Sequence, residues 1–411
     1  MIRWLVVVLL VAACGVPAVD PAYQGRGRIT FVDSHDLSSS GPIKQRVEAW
    51  NARASSVEQV TYLPMPTPTD DYRAQLMARA GDLAGRRGAD ARAQCYDVVT
   101  LDVVWTAAFA QANYLARLPE PEIGPARFLP AAVESARVGE TLWAVPWRAD
   151  AGVLYYRADL LAAEGASPPT SWDQLERQAA TIAPKYGIAG YVGQLGQYEG
   201  LTVNVLEAVW GHGGDAADFG GPGARAGVGR LANGVKQGWI PQEALRYDEA
   251  ASLKEFLEGR ALFLRTWPYA RAELAASPLS GKFGMAPLPG PAALGGWNLA
   301  VSRCSAHQAT AREFIRFLTG AESQEALLTQ AGYPPTLVSL YEEPSLQAPL
   351  PHLVVLEAAV RSARNRPRTA HYDDVTRVVQ RAVHHVLRNP ESLDAELRRL
   401  AEDVARASAG R

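Results

Sequence analysis

Between residues 28 and about 115 the chain alternates β-branched runs with amphipathic runs, and this alternation limits its fold more than any other feature of the sequence. Arg28 to Asp33 reads as a strand. Ser34 to Gly41 is a polar loop ending at Pro42, a favourable first helical residue. Ile43, Val47 and Trp50 then recur at helical spacing. Val57 to Leu63 reads as a second strand. Thr69-Asp70-Asp71 opens a second helix with Tyr72, Leu76 and Ala80 on one side and acidic residues in its first turn. Tyr96 to Val104 is nearly all apolar, interrupted by Asp97, Thr100 and Asp102, and fits a strand buried on both faces. Strands and helices in this order predict an α/β fold with a largely parallel sheet.

The rest of the chain continues the mixture. Thr141–Val145 and Gly152–Tyr156 read as extended, around Pro146 to Asp150. Helices are expected from Trp172, over Leu201–Trp210, Ala224–Gln237 and Ala250–Glu258, then at 307–319, 322–331, 350–364 and 372–407. Short strands are expected at Ala261–Arg265 and Trp297–Val301. With 411 residues the chain is long enough for two or three domains and for sizeable cores. Its net charge of −2 and 20% charged residues argue against a nucleic-acid binder. No Cys/His/Asp spacing matches a zinc or iron site, and no phosphate loop or nucleophile elbow is found. No cofactor is expected.

The first residues form an address. Arg3 precedes a short apolar run, Trp4 to Val11, which ends at Ala12-Ala13-Cys14. This is signal-peptide anatomy, too short to span a membrane. Val11-Ala12-Ala13-Cys14 resembles the bacterial lipobox, which implies cleavage after residue 13 and lipid on Cys14. The alternative is an ordinary export signal with an incidental cysteine. Residues 14–27 read as a tether to the outer face of the cytoplasmic membrane. Export would place Cys95 and Cys304 in an oxidising compartment, where a pair persists as a disulfide.

Several stretches together resemble one family. They are Leu101 to Thr106, Pro146 through Leu154-Tyr155-Tyr156-Arg157, Pro169-Thr170-Ser171-Trp172, Glu199-Gly200-Leu201, Gly295 to Val301, and Ala311-Arg312-Glu313-Phe314. In order and spacing they are similar to the extracellular solute-binding proteins of ABC sugar importers, the maltose- and trehalose-binding group. The look is closest to actinobacterial trehalose-binding lipoproteins. The resemblance runs from about residue 28 to the C-terminus. It implies a type II periplasmic-binding-protein fold, in which two α/β lobes close on a ligand about a hinge. Lobe 1 is expected at 28–146 plus 298–345, and lobe 2 at 147–297 plus 346–411. It further implies a monomer that captures a disaccharide or small oligosaccharide and delivers it to an ABC permease, without catalysis. In that fold the strand after the second crossing runs antiparallel beside the third strand, which would bring Cys95 and Cys304 into disulfide range. The alternative is two free buried cysteines.

A sugar presents hydroxyls at its rim and C–H groups on its faces, so its site needs carboxylates, amides or guanidinium groups beside aromatic platforms. The resemblance and the ends of the strands nominate ten residues. Asp36 follows the first strand, and Asp102 and Trp105 end the third. Asp150 lies in the first crossing, where the trehalose-binding relatives carry an amide. Glu199 opens a helix. Trp267 and Tyr269 flank Pro268, Gly296 and Trp297 sit at the second crossing, and Arg366 lies in an arginine-rich stretch. The alternatives are helix caps for Asp36 and Asp102, a first-turn dipole role for Glu199, and a surface role for Arg366. Trp50, Trp172 and Trp210, on helical patterns, are expected in the core. Two other functions fit less well. A glycerophosphodiester or another polar solute is one, a phosphate wanting clustered Arg or Lys in the cleft, for which Arg148 and Arg366 are candidates; the other is a glycoside hydrolase, which would need Asp102 and Glu199 to face each other across a sugar bond.

Overall fold

The computed structural model describes residues 24–34, 41–65, 69–84 and 94–411. Asp36 and Cys14 lie outside the described residues. Two sheets organise the rest. The first has five strands: β1 (Ile29–Ser34), β2 (Val60–Met65), β3 (Val98–Asp102), β4 (Val145–Arg148) and β9 (Trp297–Val301), in the order β2-β1-β3-β9-β4. Strands β1, β2 and β3 are parallel, and β9 runs antiparallel between β3 and β4. The second sheet has four strands: β5 (Val153–Arg157), β6 (Ala189–Val192), β7 (Ala261–Thr266) and β8 (Phe283–Pro287), in the order β8-β5-β7-β6. The alternation at 28–115 thus folds as expected, and β3 is buried along four of its five residues.

Helices α1 (Pro42–Arg53), α2 (Thr69–Ala84) and α3 (Pro130–Ser135) accompany the first sheet. Helices α4 (Glu199–Gly211), α5 (Pro222–Gln237) and α6 (Glu249–Leu257) accompany the second. Helix α7 (Gln308–Leu318) follows β9. Helix α8 (Leu353–Ser362) packs on β8, and α9 (Tyr372–Arg388) packs on α4, α5 and α10 (Leu393–Ser408). The expected single helical run over 372–407 is two helices. Pro390, which has no N–H to continue the ladder, stands just after Asn389 where α9 ends. Helix α9 buries Val375, Val379, Val383, Val386 and Leu387 at spacings of three and four. Trp50, Trp172 and Trp210 are all buried.

Two short segments carry the chain between the sheets. Ala149–Gly152 links β4 to β5, and Ala151 bridges antiparallel to Leu294 on the return path. The lobe limit expected at 146 falls inside β4, whose pairing with β9 continues through Arg148 opposite Trp297. Gly296 explains how the crossings pack so closely. Its φ is +101°, and a Cβ there would stand 2.1 Å from the Arg148 carbonyl oxygen. The sequence suggests that this glycine admits a ligand; it admits the other crossing strand.

Cys95, ahead of β3, is bonded to Cys304, just past β9, with Cα atoms 5.8 Å apart. Beside the bridge Asp97 accepts from Ser305 Oγ and the Thr30 amide. Residues 24–27, read from sequence as the end of a tether, are docked. The Ala309 amide donates to the Gly25 carbonyl, the Gly27 amide to Thr310, and Arg26 pairs with Glu58 and Glu313. No helix of the described residues is long and apolar enough to cross a membrane.

Candidate functional site

The nominated residues that the structure describes converge where the two sheets meet. Trp297 begins β9, with Asp102 opposite it on β3 and Arg148 opposite it on β4. One register position thus brings the carboxyl end of β3, the first crossing and the second crossing together, where open α/β sheets bind ligands.

Arg366 fills the centre. Its guanidinium is almost fully buried and donates to Asp102 at 2.7 Å and to Glu199 at 2.5 Å. The surface role weighed for this arginine therefore does not hold. Glu199, in the first turn of α4, also accepts from Tyr372 Oη at 2.5 Å and Thr376 Oγ1 at 2.6 Å. Burial pushes its carboxyl up, opposed by Arg366 and the two hydroxyls. Asp102 accepts a further bond from the Val104 amide at 3.1 Å. A carboxylate in an apolar run asks for a partner, and an arginine 264 residues further on supplies one to Asp102.

The aromatic groups form two sets. Trp105, Trp297 and Tyr72 pack mutually, with ring centroids 5.6–5.7 Å apart and the two tryptophans edge to face. Trp105 is 4% exposed and buttresses the half-buried Trp297, so it offers no open face. The second set lies at the end of β7. The Arg265 guanidinium sits 4.2 Å from the Trp267 ring centroid. Trp267 Nε1 donates to Glu249 at 3.4 Å, and the other oxygen of that carboxylate accepts from Tyr198 at 2.7 Å. Trp267 and Tyr269 are both half-buried.

Sequence reading missed the support beneath Trp267. Arg265 and Glu207 form a buried two-pronged ion pair, at 2.7 and 2.6 Å. Gln194 accepts from Arg265 at 3.1 Å, and the Ala293 amide donates to Glu207 at 3.0 Å. Gly152 faces this pair so closely that a Cβ would lie 2.4 Å from a Glu207 oxygen. An arginine in an apolar strand and a glutamate in an apolar helix, each needing a partner, were the available signals.

Arg148 is likewise neutralised. It pairs with the buried Asp33 at 3.0 Å and lies 4.4–5.6 Å from the ring centroids of Trp147, Tyr333 and Trp297. Asp150 differs. Its carboxylate makes no hydrogen bond or ion pair with the described residues, although Arg148, Tyr269 and Tyr341 all feel its charge. Gly295 stands between it and the Trp267 ring: a Cβ there would lie 3.4 Å from the Asp150 Cβ and 2.9 Å from the indole. Burial pushes the Asp150 carboxyl up to about 6, with Arg148 opposing and Asp102 adding to the shift. Among the described residues no cluster of His, Cys, Asp and Glu could hold a metal ion.

Residues 45–351 match the family model described as bacterial extracellular solute-binding protein. A probable ABC transporter-binding protein of Deinococcus radiodurans is 33% identical over 399 residues, covering 88% of this chain and 89% of that protein. Maltose-bound MalE3 of T. maritima superposes with a TM-score of 0.82 at 32% identity, over 92% of this chain and 99% of that one. UgpB of Mycobacterium tuberculosis, in complex with glycerophosphocholine, superposes with a TM-score of 0.79 at 19% identity, over 93% and 98% of the chains, and shares the fold. These neighbours have two lobes around a cleft, and the two sheets here are the corresponding lobes.

Proposed function

The chain belongs to the bacterial extracellular solute-binding protein family, and on that premise we propose that it captures an uncharged disaccharide or small oligosaccharide, of trehalose or maltose type, between its lobes. One observation carries the choice of ligand. Among the described residues, the arginines beside these groups are matched by carboxylates, Arg148 by Asp33, Arg265 by Glu207 and Arg366 by Asp102 and Glu199. The carboxylate of Asp150 is the group left over, next to the Trp267 platform. A phosphodiester would need an arginine released from its partner, at the cost of an uncompensated buried acid. A sugar needs acceptors for its hydroxyls and an aromatic face for its C–H groups, and it finds both.

In this reading Asp150, Trp267, Tyr269 and Trp297 contact the sugar. Asp102, Glu199 and Arg366 present a charged, hydrogen-bonded wall, and Trp105 and Gly296 position the others. Asp36 is proposed for the same cleft from its place after β1. Residues 28–148 with 297 to about 345 make one lobe, and the remainder to 411 the other. Asp102 and Glu199 are both committed to one guanidinium, which supports a binding role over that of a glycosidase's acid and nucleophile. The relatives are transport proteins, which fits a partnership with an ABC permease. Lipid on Cys14 would keep this monomeric receptor at the outer face of the cytoplasmic membrane. Isothermal titration of the mature protein against trehalose, maltose, maltotriose and glycerophosphocholine tests the ligand. Binding of glycerophosphocholine with no binding of the sugars overturns the reading.

A further inference from the structure

Nine consecutive residues between α8 and the first turn of α9 hold the two lobes together. Arg364 is anchored on the return path: its amide donates to Ala292, and its carbonyl accepts from Leu294. From that anchor the chain reaches to the other lobe. Asn365 Nδ2 donates to the Ala131 carbonyl at 3.0 Å. Arg368 donates to the Glu134 carbonyl at 2.8 Å and its carboxylate at 2.7 Å. Both acceptors are on α3, which packs against β4. Asp373 is ion-paired with Arg73 of α2, and α2 is fixed to the five-stranded sheet by the bond between Tyr72 and Thr100. Behind Asp373, Tyr372 and Thr376 are bonded to Glu199 on α4. The contacts of Asn365, Arg368 and Asp373 thus run to the packing of the five-stranded sheet, while those of Arg364, Tyr372 and Thr376 hold the segment to the other lobe.

We propose that Asn365–Asp373 is a strap whose polar pairs set how much of the protein stands closed, so that Arg73, Glu134, Arg368 and Asp373 govern ligand capture without touching ligand. Any rotation that separates the lobes on this side must break the Arg73–Asp373 and Arg368–Glu134 pairs together with the Asn365 bond. A protein whose competent state is populated only in part binds its ligand more weakly by that fraction. The charged groups facing each other across the strap are Asp70, Asp71 and Arg73 on α2 and Asp373, Asp374 and Arg377 on α9, with Arg377 3.8 Å from Asp373 and 3.7 Å from Asp374. These pairs are partly exposed, so salt weakens them.

The strap depends on the hinge reading above for its motion, and on no particular ligand. The test is a distance measurement between spin labels at Lys44 on α1 and Arg225 on α5, both exposed positions on different lobes. In the otherwise wild-type protein the short distance is expected to dominate. Arg73→Ala with Arg368→Ala is expected to add a population at longer distance. Arg368→Glu is expected to do the same, and adding Glu134→Arg to it to restore the short distance. Arg260→Ala, which breaks a pair within one lobe, is expected to change nothing. Unchanged distances in both the double variant and Arg368→Glu overturn the strap. If titration with maltose still moves the labels in those variants, the hinge stands and the strap alone is lost. If the labels move in no protein under any condition, the hinge reading falls with it.

Discussion

Trp267 rests on Arg265: the guanidinium is 4.2 Å from the indole centroid, and both of its outer nitrogens are committed beneath, one to Glu207 and one to Gln194. In the proposed reading the other face of this ring stacks on the sugar. Trp267→Ala is expected to weaken saccharide binding by about 1–3 kcal/mol, roughly 5- to 150-fold. Isothermal titration against the sugar that binds the wild-type protein checks this. Unchanged affinity would place the ligand elsewhere.

The ion pair below that ring is a liability once halved. Glu207→Gln leaves Arg265 charged and buried without its counterion, at a cost of about 3–5 kcal/mol. Replacing both residues by leucine is expected to cost less than the single change, because no bare charge remains. Urea unfolding of the two variants compares these costs, and equal losses would refute the coupling.

Asp150 makes stability depend on pH. Its carboxyl is raised from 3.8 to about 6 by burial, so the folded protein holds this proton more tightly than the unfolded chain does. Stability from that proton is complete below about pH 4 and is lost as pH rises through 6. At pH 7.5 the charged form costs on the order of 2–3 kcal/mol. Asp150→Asn is therefore expected to unfold at higher urea than wild type at pH 7.5 and to match it near pH 4. The same change is expected to weaken sugar binding at pH 7.5, since an ionised acceptor is lost. A stability difference independent of pH would contradict the assignment.

The Cys95–Cys304 bridge stands at the end of β3 and β9 opposite to Asp102 and Trp297. Cys95→Ser with Cys304→Ser is expected to lower stability by about 2–5 kcal/mol, the bridge closing a long loop. Affinity for the sugar is expected to stay within about twofold, because no cleft residue is attached to the bridge. Alkylation of the non-reduced wild-type protein should find no thiol at either position; two free thiols there would deny the bond.

How much was legible in the sequence depended on the range of the interaction. Strand β9 was readable to the residue, Trp297–Val301, because apolar periodicity and flanking glycines are local signals. The parallel strands β1, β2 and β3 followed from the same kind of pattern, while the place of β9 beside β3 came from the family resemblance. Nominating Asp102, Glu199, Trp267 and Trp297 for one site needed the family resemblance, since nothing local joins them. What escaped was pairing at long range. The run Leu201–Trp210 shows its valines and leucines, while Glu207 in their midst has its partner 58 residues on. Asp102 announces a need for a partner but not that Arg366 meets it. Pro390, by contrast, was in plain view, and apolar periodicity on both sides of it concealed the break between α9 and α10.

The docking of Gln24–Gly27 onto α7 has a mechanical consequence. Whatever pulls on the chain before residue 24 pulls on the lobe that holds α7 and β9, through Arg26, Glu58 and Glu313. The other lobe receives that load only through the crossings and the strap. With Cys14 lipidated as proposed, a pull from the membrane would fall on this lobe first and reach the cleft only by way of the crossings and the strap.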